Sequence, residues 1–202
     1  MAEWVEYGQE NRHRIVKEVA RNLKGDVLEI GSGHSNYILK DSIKIDVKKA
    51  DFVWNLNDGL PFPSKSIDNI IACEIIEHMN SPHDFVKEIS RVLKKEGNLI
   101  LTTPNIACLK NRLKLLFGKF PINVAMADFY RFWYPGDPSI AQSAHYSDYS
   151  IPIVVEALRR EGFIITEKKS NGIYLKGKLA LPLSITPATL GENMIIKARL
   201  GE

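Results

Sequence analysis

The sequence predicts an α/β fold organised around a nucleotide-binding β-α-β unit, and two observations support this prediction. Residues 27–30 form a short apolar run, interrupted at Glu29, that ends at Gly31-Ser32-Gly33. Glycines at the end of a buried strand allow a sharp turn and a close approach of the backbone to a ligand. Residues 43–46 form a second short run, which ends in Asp46. A carboxylate at the tip of the second strand can accept hydrogen bonds from both hydroxyls of a ribose.

The residues around this turn favour a cationic nucleotide over a dinucleotide. The dinucleotide fingerprint has a third glycine three residues after the second, and Asn36 occupies that position here. Glu29, just before the glycines, would repel a pyrophosphate but attract a cationic group. A ligand with ribose hydroxyls at one end and an ammonium at the other fits Asp46 and Glu29 together. S-adenosylmethionine is such a ligand.

Several short motifs stand in a characteristic order along the first half of the chain. They are Glu29-Ile30-Gly31-Ser32-Gly33, Asp46, the segment from Leu60 to Asp68, and Glu77-His78. In this order they resemble the class I S-adenosylmethionine-dependent methyltransferases, and within them the type 11, UbiE-like small-molecule enzymes. The resemblance covers roughly residues 23–104. It implies a Rossmann-like, seven-stranded, mostly parallel sheet with helices on both faces, and methyl transfer as the usual activity.

Apolar spacing and turn signals predict the remaining elements in order. Residues 1–25 contain an opening helix with Arg12 on its polar face, and Trp4 and Tyr7 precede that helix. Ser81 caps a second helix, which we expect to run until Gly97. Further helices are predicted at residues 106–117 and 150–161. Further strands are predicted at residues 51–54, 69–73, 98–103, 163–167 and 194–199.

The resemblance also implies the residues that bind the cofactor. Asp46, with Val47 beside it, holds the ribose, while Asn55 and Leu56 meet the adenine. The glycine turn lines the methionine portion and Glu29 helps to hold its ammonium. Cys73 and Glu74 follow the fourth strand and border the transferable methyl, because ligands bind at the carboxyl ends of the strands. The predicted cofactor site is therefore Glu29, Gly31, Ser32, Gly33, Asp46, Val47, Asn55, Leu56, Cys73 and Glu74.

Three residues are candidates for a general base. His78 follows the fourth strand, and His145 and Tyr146 precede a later helix. A histidine titrates near working pH, although either one can instead hold a loop by a hydrogen bond. A base matters only if the acceptor must lose a proton early, since the leaving group of a sulfonium is neutral. No Asp/Asp/Asn constellation for a divalent metal is recognisable, so the sequence predicts metal independence.

Composition sets the broad class of the protein. The 202 residues suit one domain, residues 1–202, and a net charge of +3 is too small to argue for a nucleic acid partner. The Asn-Pro-Pro-Tyr motif of amino-methylating nucleic acid enzymes is also missing after the fourth strand. Two cysteines without framework spacing, and no apolar run near 18 residues, predict a soluble, cytoplasmic protein.

Residues 106–146 are the most individual part of the chain, and we expect them to form a lid over the acceptor. Their basic, leucine-rich start is followed by an aromatic segment that includes Phe129, Trp133 and Tyr134. This composition suits a small, apolar or aromatic acceptor. Two alternatives stay open: a non-catalytic module that binds the cofactor or a partner, and a membrane-associated lipid or quinone methyltransferase. The oligomeric state and the methylated atom are left open.

Overall fold

The structure is a computed structural model that describes residues 2–31, 38–48, 50–121, 145–175, 178–179 and 186–202. Within these ranges the helices are α1 (Ala2–Ala20), α2 (Pro82–Val92), α3 (Leu109–Leu116) and α4 (Ile151–Arg160). The strands are β1 (Val27–Ile30), β2 (Ile43–Asp46), β3 (Phe52–Val53), β4 (Ile67–Cys73), β5 (Leu93–Pro104), β6 (Phe163–Ser170), β7 (Tyr174–Leu175), β8 (Lys178–Leu179) and β9 (Asn193–Leu200). Short 3-10 helices cover Leu56–Asp58, Ile76–His78 and Ala188–Leu190.

Seven of these strands form one sheet in the order β3-β2-β1-β4-β5-β9-β6. The pairs from β3 to β5 are parallel, and β9 pairs antiparallel with both β5 and β6. The chain moves outward from β1 to β3 and then returns to place β4 on the other side of β1. This reversal creates a crevice at the carboxyl ends of β1 and β4, which is where open α/β sheets bind ligands. The predicted seven-stranded, mostly parallel sheet is confirmed.

Side chains of the central strands alternate between two apolar cores. In β4, Ile70 faces the core that contains Phe85 and Ile89 of α2 and Leu158 of α4. Its neighbour Ile71 faces the opposite core, which contains Val16 of α1. Successive residues of a strand point to opposite faces, so an unbroken apolar run is what a sheet covered on both sides requires. The predicted helices on both faces are present.

Several element boundaries differ from the sequence-based expectations. The helix α2 ends at Val92, not near Gly97, because Leu93 already pairs with Ile67 in the sheet. The third strand is only Phe52–Val53, and Trp4 and Tyr7 lie within α1. At the other end of the fold, α3 has the predicted position, but Leu116 on its apolar side is 75% exposed.

The start of α2 gives a direct test of local stability. Ser81 has extended backbone angles and its hydroxyl accepts a hydrogen bond from the Asp84 N–H at 3.3 Å. Ser81→Ala should lower the free energy of unfolding by about 1 kcal/mol, because the N–H then loses its acceptor. Urea unfolding followed by circular dichroism measures this loss. Ser81→Asp keeps a capping oxygen and should keep most of the stability; equal losses in both variants would contradict a capping role.

Candidate cofactor and methyl-transfer site

The turn after β1 and the end of β2 meet at the crevice. Gly31 has a φ of +69°, and its N–H donates to the Ile45 carbonyl at 2.9 Å. A Cβ at Gly31 would lie 2.8 Å from side-chain carbons of Ile75, so a larger residue would be strained in its backbone and crowded as well. Ile75 follows β4, and the glycine turn is therefore packed directly against the segment that leaves that strand.

Asp46 is the last residue of β2 and is half-buried at the same edge. Its Oδ1 accepts a hydrogen bond from the Lys48 N–H at 3.1 Å, which fixes the carboxylate next to the turn. Val47 is 57% exposed beside it. Ser32 and Gly33 lie outside the described residues. Of the predicted ribose and methionine residues, the structure thus brings Gly31 and Asp46 to adjacent strand ends.

Glu29 is buried, and its carboxylate bonds to the chain itself. Its Oε1 accepts from the Leu39 N–H and the Ser42 hydroxyl, both at 2.6 Å, and its Oε2 accepts from the Ile38 N–H at 2.8 Å. Three donors from residues 38–42 satisfy most of the acceptor capacity of a carboxylate. The structure therefore makes Glu29 an anchor for the chain that enters β2, where the sequence suggested direct contact with an ammonium.

Asn55 and Leu56 form the turn that follows β3. The Asn55 side-chain oxygen accepts from the Asn57 N–H at 3.1 Å and so caps the 3-10 helix Leu56–Asp58. Leu56 is buried in the same core as Leu28 and Ile70. Both residues therefore hold this turn in place after β3. The adenine contact of Asn55 and Leu56 stays a prediction.

Past the end of β4, Glu74 connects the site to the first helix. Its backbone has a φ of +52°, and its carboxylate accepts from the Thr102 hydroxyl at 2.9 Å and the Asn193 side chain at 2.7 Å. Arg12 of α1 forms an ion pair with it at 3.2 Å. The sequence placed Arg12 on the polar face of α1, but it is only 8% exposed. Burial raises the pKa of the Glu74 carboxyl, and the guanidinium of Arg12 opposes that rise.

The thiol of Cys73 is shielded in the same place. Burial raises the pKa of Cys73 to about 12, so the group stays a neutral thiol at working pH. A thiol that stays protonated is a weak nucleophile, so the position of Cys73 beside the ligand stays a prediction about shape. The sequence-based placement of Cys73 at the end of β4 agrees with the observed strand.

Glu77 is a buried acid that the sequence analysis did not assign a role. It is 1% exposed, and its Oε2 accepts from the Thr103 hydroxyl at 2.9 Å. Its Oε1 has no hydrogen-bond partner among the described residues. Burial, followed by the charge of Glu74, raises the pKa of Glu77 to about 8. A buried carboxyl without a cationic partner is unusual, because desolvation of its charge is costly.

The three candidate bases lie beside this acid. The rings of His78 and His145 are 5.0 Å apart between centroids and nearly perpendicular. The Tyr146 N–H donates to the Glu77 carbonyl at 2.8 Å, which attaches residues 145–146 to the segment after β4. Burial, with a smaller contribution from His78, lowers the pKa of His145, so its imidazole is neutral at pH 7. The structure thus groups residues that the sequence separates by more than sixty positions.

Comparison with known proteins agrees with this architecture. Residues 39–101 match a family model described as a methyltransferase domain, of type 11. A solved structure from Thermotoga maritima, described as a possible histamine N-methyltransferase, superposes with a TM-score of 0.65 over 95% of this chain and 90% of that one, at 17% identity. The chain is thus similar to methyltransferases in the sequence of residues 39–101 and in its fold.

Two curated proteins align with shorter parts of the chain. A probable S-adenosylmethionine-dependent methyltransferase of Mycobacterium tuberculosis is 41% identical over 46 residues, 23% of this chain and 17% of that protein. The ubiquinone biosynthesis O-methyltransferase of Pelagibacter ubique is 33% identical over 78 residues, 39% of this chain and 29% of that enzyme. The aligned regions are therefore well under half of these relatives' own lengths.

The sequence analysis gives no functional role to two buried charged residues, Arg12 and Glu77. The sequence analysis places Arg12 on the polar face of α1. Only the packing of α1 against β5 and β9 reveals its acidic partner, Glu74. Glu77 stood next to His78 in a recognised motif, yet its burial could not be read from the sequence. An arginine on the same side of the helix as Ile15 and Val16 was the available signal for a buried ion pair.

Proposed function

We propose that this protein transfers a methyl group from S-adenosylmethionine to a small-molecule acceptor. The observation that carries the proposal is the arrangement of Gly31 and Asp46 at adjacent strand ends, where the strand order reverses. The glycine at positive φ lets the backbone turn sharply at the end of β1, and the nearby carboxylate suits ribose hydroxyls. The similarity of residues 39–101 to a methyltransferase family model, and of shorter stretches to S-adenosylmethionine-dependent methyltransferases, supports the choice of cofactor.

In this proposal the remaining residues divide into cofactor contacts and supports. Asp46 binds the ribose, and Gly31, with Ser32 and Gly33, lines the methionine portion. Glu29 acts indirectly, since its hydrogen bonds to residues 38–42 hold the chain between the glycine turn and β2. Glu74, paired with Arg12, fixes the segment that leaves β4 next to the methyl group.

The chemistry requires positioning more than covalent assistance. The acceptor attacks the methyl carbon in line with the carbon–sulfur bond, and a neutral thioether, S-adenosylhomocysteine, leaves. Holding the two reactants in this geometry supplies much of the rate enhancement. A group that removes a proton contributes only for an acceptor that is protonated beforehand, and His78, His145 and Tyr146 are the proposed candidates for that group.

The acceptor is proposed from the composition of residues 106–146. We propose that this segment covers the acceptor and that the acceptor is apolar or aromatic, although residues 122–144, including Phe129, Trp133 and Tyr134, lie outside the described residues. Among the described helices, none is both long enough and apolar enough to cross a membrane. A fold alone does not determine the reaction, so a cofactor-binding module without turnover is the alternative to be tested.

Calorimetric titration of the purified full chain tests the proposal. S-adenosylmethionine and S-adenosylhomocysteine should each bind at one site and compete with each other, while NADH should not bind. Binding of NADH, or of neither sulfur compound, would contradict the proposed cofactor. A screen of acceptors with a labelled methyl donor then separates an enzyme from a binding module, because only the enzyme transfers the label.

A further inference from the structure

Glu77, His78 and His145 form a compact cluster at the carboxyl edge of β4. Each offers one ligand atom, a carboxylate oxygen or a ring nitrogen, and these atoms all lie within 4.8 Å of one another. Two imidazoles and one carboxylate are a ligand set that proteins use for divalent transition metals. The cluster combines residues from two distant parts of the chain.

The state of Glu77 is an independent observation that points to a ligand. One of its oxygens is held by Thr103, whereas Oε1 is buried and has no hydrogen-bond partner among residues 2–31, 38–48, 50–121, 145–175 and 186–202. Buried polar atoms in folded proteins are nearly always satisfied, and a bound ion is one of the few accepted explanations for an apparent exception. A cation between Glu77 and the two rings would satisfy this oxygen.

Backbone contacts fix the cluster from both sides. Glu77 and His78 lie in the 3-10 helix Ile76–His78, directly after β4. The segment that carries His145 is attached by the Tyr146 N–H to the Glu77 carbonyl and by a bridge between Tyr149 and Asn105 at the end of β5. The ligand atoms are therefore presented by ordered backbone, which is what a metal site requires.

We propose that Glu77, His78 and His145 bind a divalent first-row transition metal ion, such as Mn²⁺ or Zn²⁺. Ligand atoms about 2.1 Å from a tetrahedral metal lie about 3.4 Å apart, so small side-chain rotations bring the cluster to bonding distance. The neighbouring carboxylate of Glu74 is already neutralised by Arg12, which leaves Glu77 as the acid that compensates the charge of the ion. This inference replaces the metal independence that the sequence predicted.

The location of the cluster suggests what the ion does, and this step rests on the proposed function. Three protein ligands leave a position open, and the cluster lies past β4 at the edge where we place the methyl group. A hydroxyl oxygen of the acceptor can take that position and lose its proton to solvent. The oxygen then attacks the methyl carbon as the carbon–sulfur bond breaks and the neutral thioether leaves. His78 and His145 are thereby metal ligands instead of general bases.

Metal titration of the full chain, stripped with a chelator, tests the site directly. Mn²⁺ and Zn²⁺ should each bind in a 1:1 ratio by calorimetry. Glu77→Gln and His145→Gln should each weaken this binding at least about tenfold, because each removes one of three ligands. The matched control is His83→Gln, which changes a histidine that is 71% exposed and outside the cluster. This control should bind both metals with wild-type affinity.

The outcomes separate the metal site from the proposed function. Absence of 1:1 metal binding in the wild-type chain would overturn the site, as would equal metal affinity in the wild type, the two ligand variants and the control. Titration with S-adenosylmethionine tests the proposed cofactor independently of the metal. If a variant fails to fold, the visible absorption spectrum of the wild-type chain loaded with Co²⁺ tests the site instead. Visible absorption bands of histidine-coordinated Co²⁺ would support the site, and a spectrum identical to that of aqueous Co²⁺ would exclude it.

Discussion

Replacing Asp46 with alanine should weaken the binding of S-adenosylmethionine about 100-fold. The carboxylate would lose two charge-assisted hydrogen bonds to the ribose, together about 3 kcal/mol, and each 1.4 kcal/mol corresponds to about a factor of ten. The same change should barely alter the free energy of unfolding. Asp46 lies at the end of β2, where its Oδ1 accepts a hydrogen bond from the Lys48 N–H and the adjoining residues Val47 and Lys48 are exposed. Calorimetry and urea unfolding measure the two quantities.

Asp41→Ala is the matched control for this experiment. Asp41 is exposed and precedes β2 at its amino end, so it carries the same charge at the opposite end of the same strand. It should leave the cofactor affinity unchanged. Similar losses in both variants would show that general electrostatics, not contact with the ribose, explains the effect, and an unchanged affinity in Asp46→Ala would remove Asp46 from the site.

Removal of the Arg12 guanidinium should destabilise the fold by about 3 kcal/mol. Arg12→Met keeps a long apolar stem but removes the cationic partner of Glu74. The Glu74 side chain is only 21% exposed, so its carboxylate would be left largely buried and unpaired. Breaking one side of a buried ion pair typically costs about 3–5 kcal/mol, and the bonds from Thr102 and Asn193 keep the cost near the lower end. Urea unfolding at neutral pH measures the loss.

The pH dependence of this loss identifies its cause. Arg12 lowers the pKa of Glu74 against the larger effect of burial, so Arg12→Met raises that pKa further. The difference between wild type and variant is present when Glu74 is charged, and it should shrink as the pH falls through the raised pKa of Glu74. Arg21→Met, an exposed change just past the end of α1, should cost little at any pH. A loss in Arg12→Met that does not vary with pH would instead indicate packing.

The sequence was sufficient to predict those parts of the structure that depend on neighbouring residues in the chain. The sequence could place the glycine turn and Asp46 at the ends of β1 and β2 because turn geometry and strand ends are local properties. The predicted end of α2 and the predicted start of β5 were wrong because they depend on contacts distant in the chain. Leu93 pairs with Ile67, and this sheet pairing outweighs the local helix-end signals at residues 94–97. Tertiary context of this kind commonly overrides propensity.

The acidic part of the site could not be read in the same way. Glu74 and Glu77 occupy recognisable motif positions, but their burial, their partners and their distance from His145 depend on how α1 and the segment before α4 pack. These contacts join residues far apart in the chain. The residues at the ends of β1 and β2 could therefore be placed from the sequence, whereas the contacts of Glu74 and Glu77 emerge only from the three-dimensional arrangement.

The position of β9 inside the sheet has a consequence for synthesis on the ribosome. This strand lies between β5 and β6, although it follows both in the chain. The segment α4–β6 is therefore translated before the strand that connects it to the rest of the sheet. Until β9 emerges, the long pairing edge of β5 has no partner, and unpaired edges of this kind associate with other chains. The edge of β5 in the nascent chain is therefore open to such association until β9 has been synthesised and pairs with it.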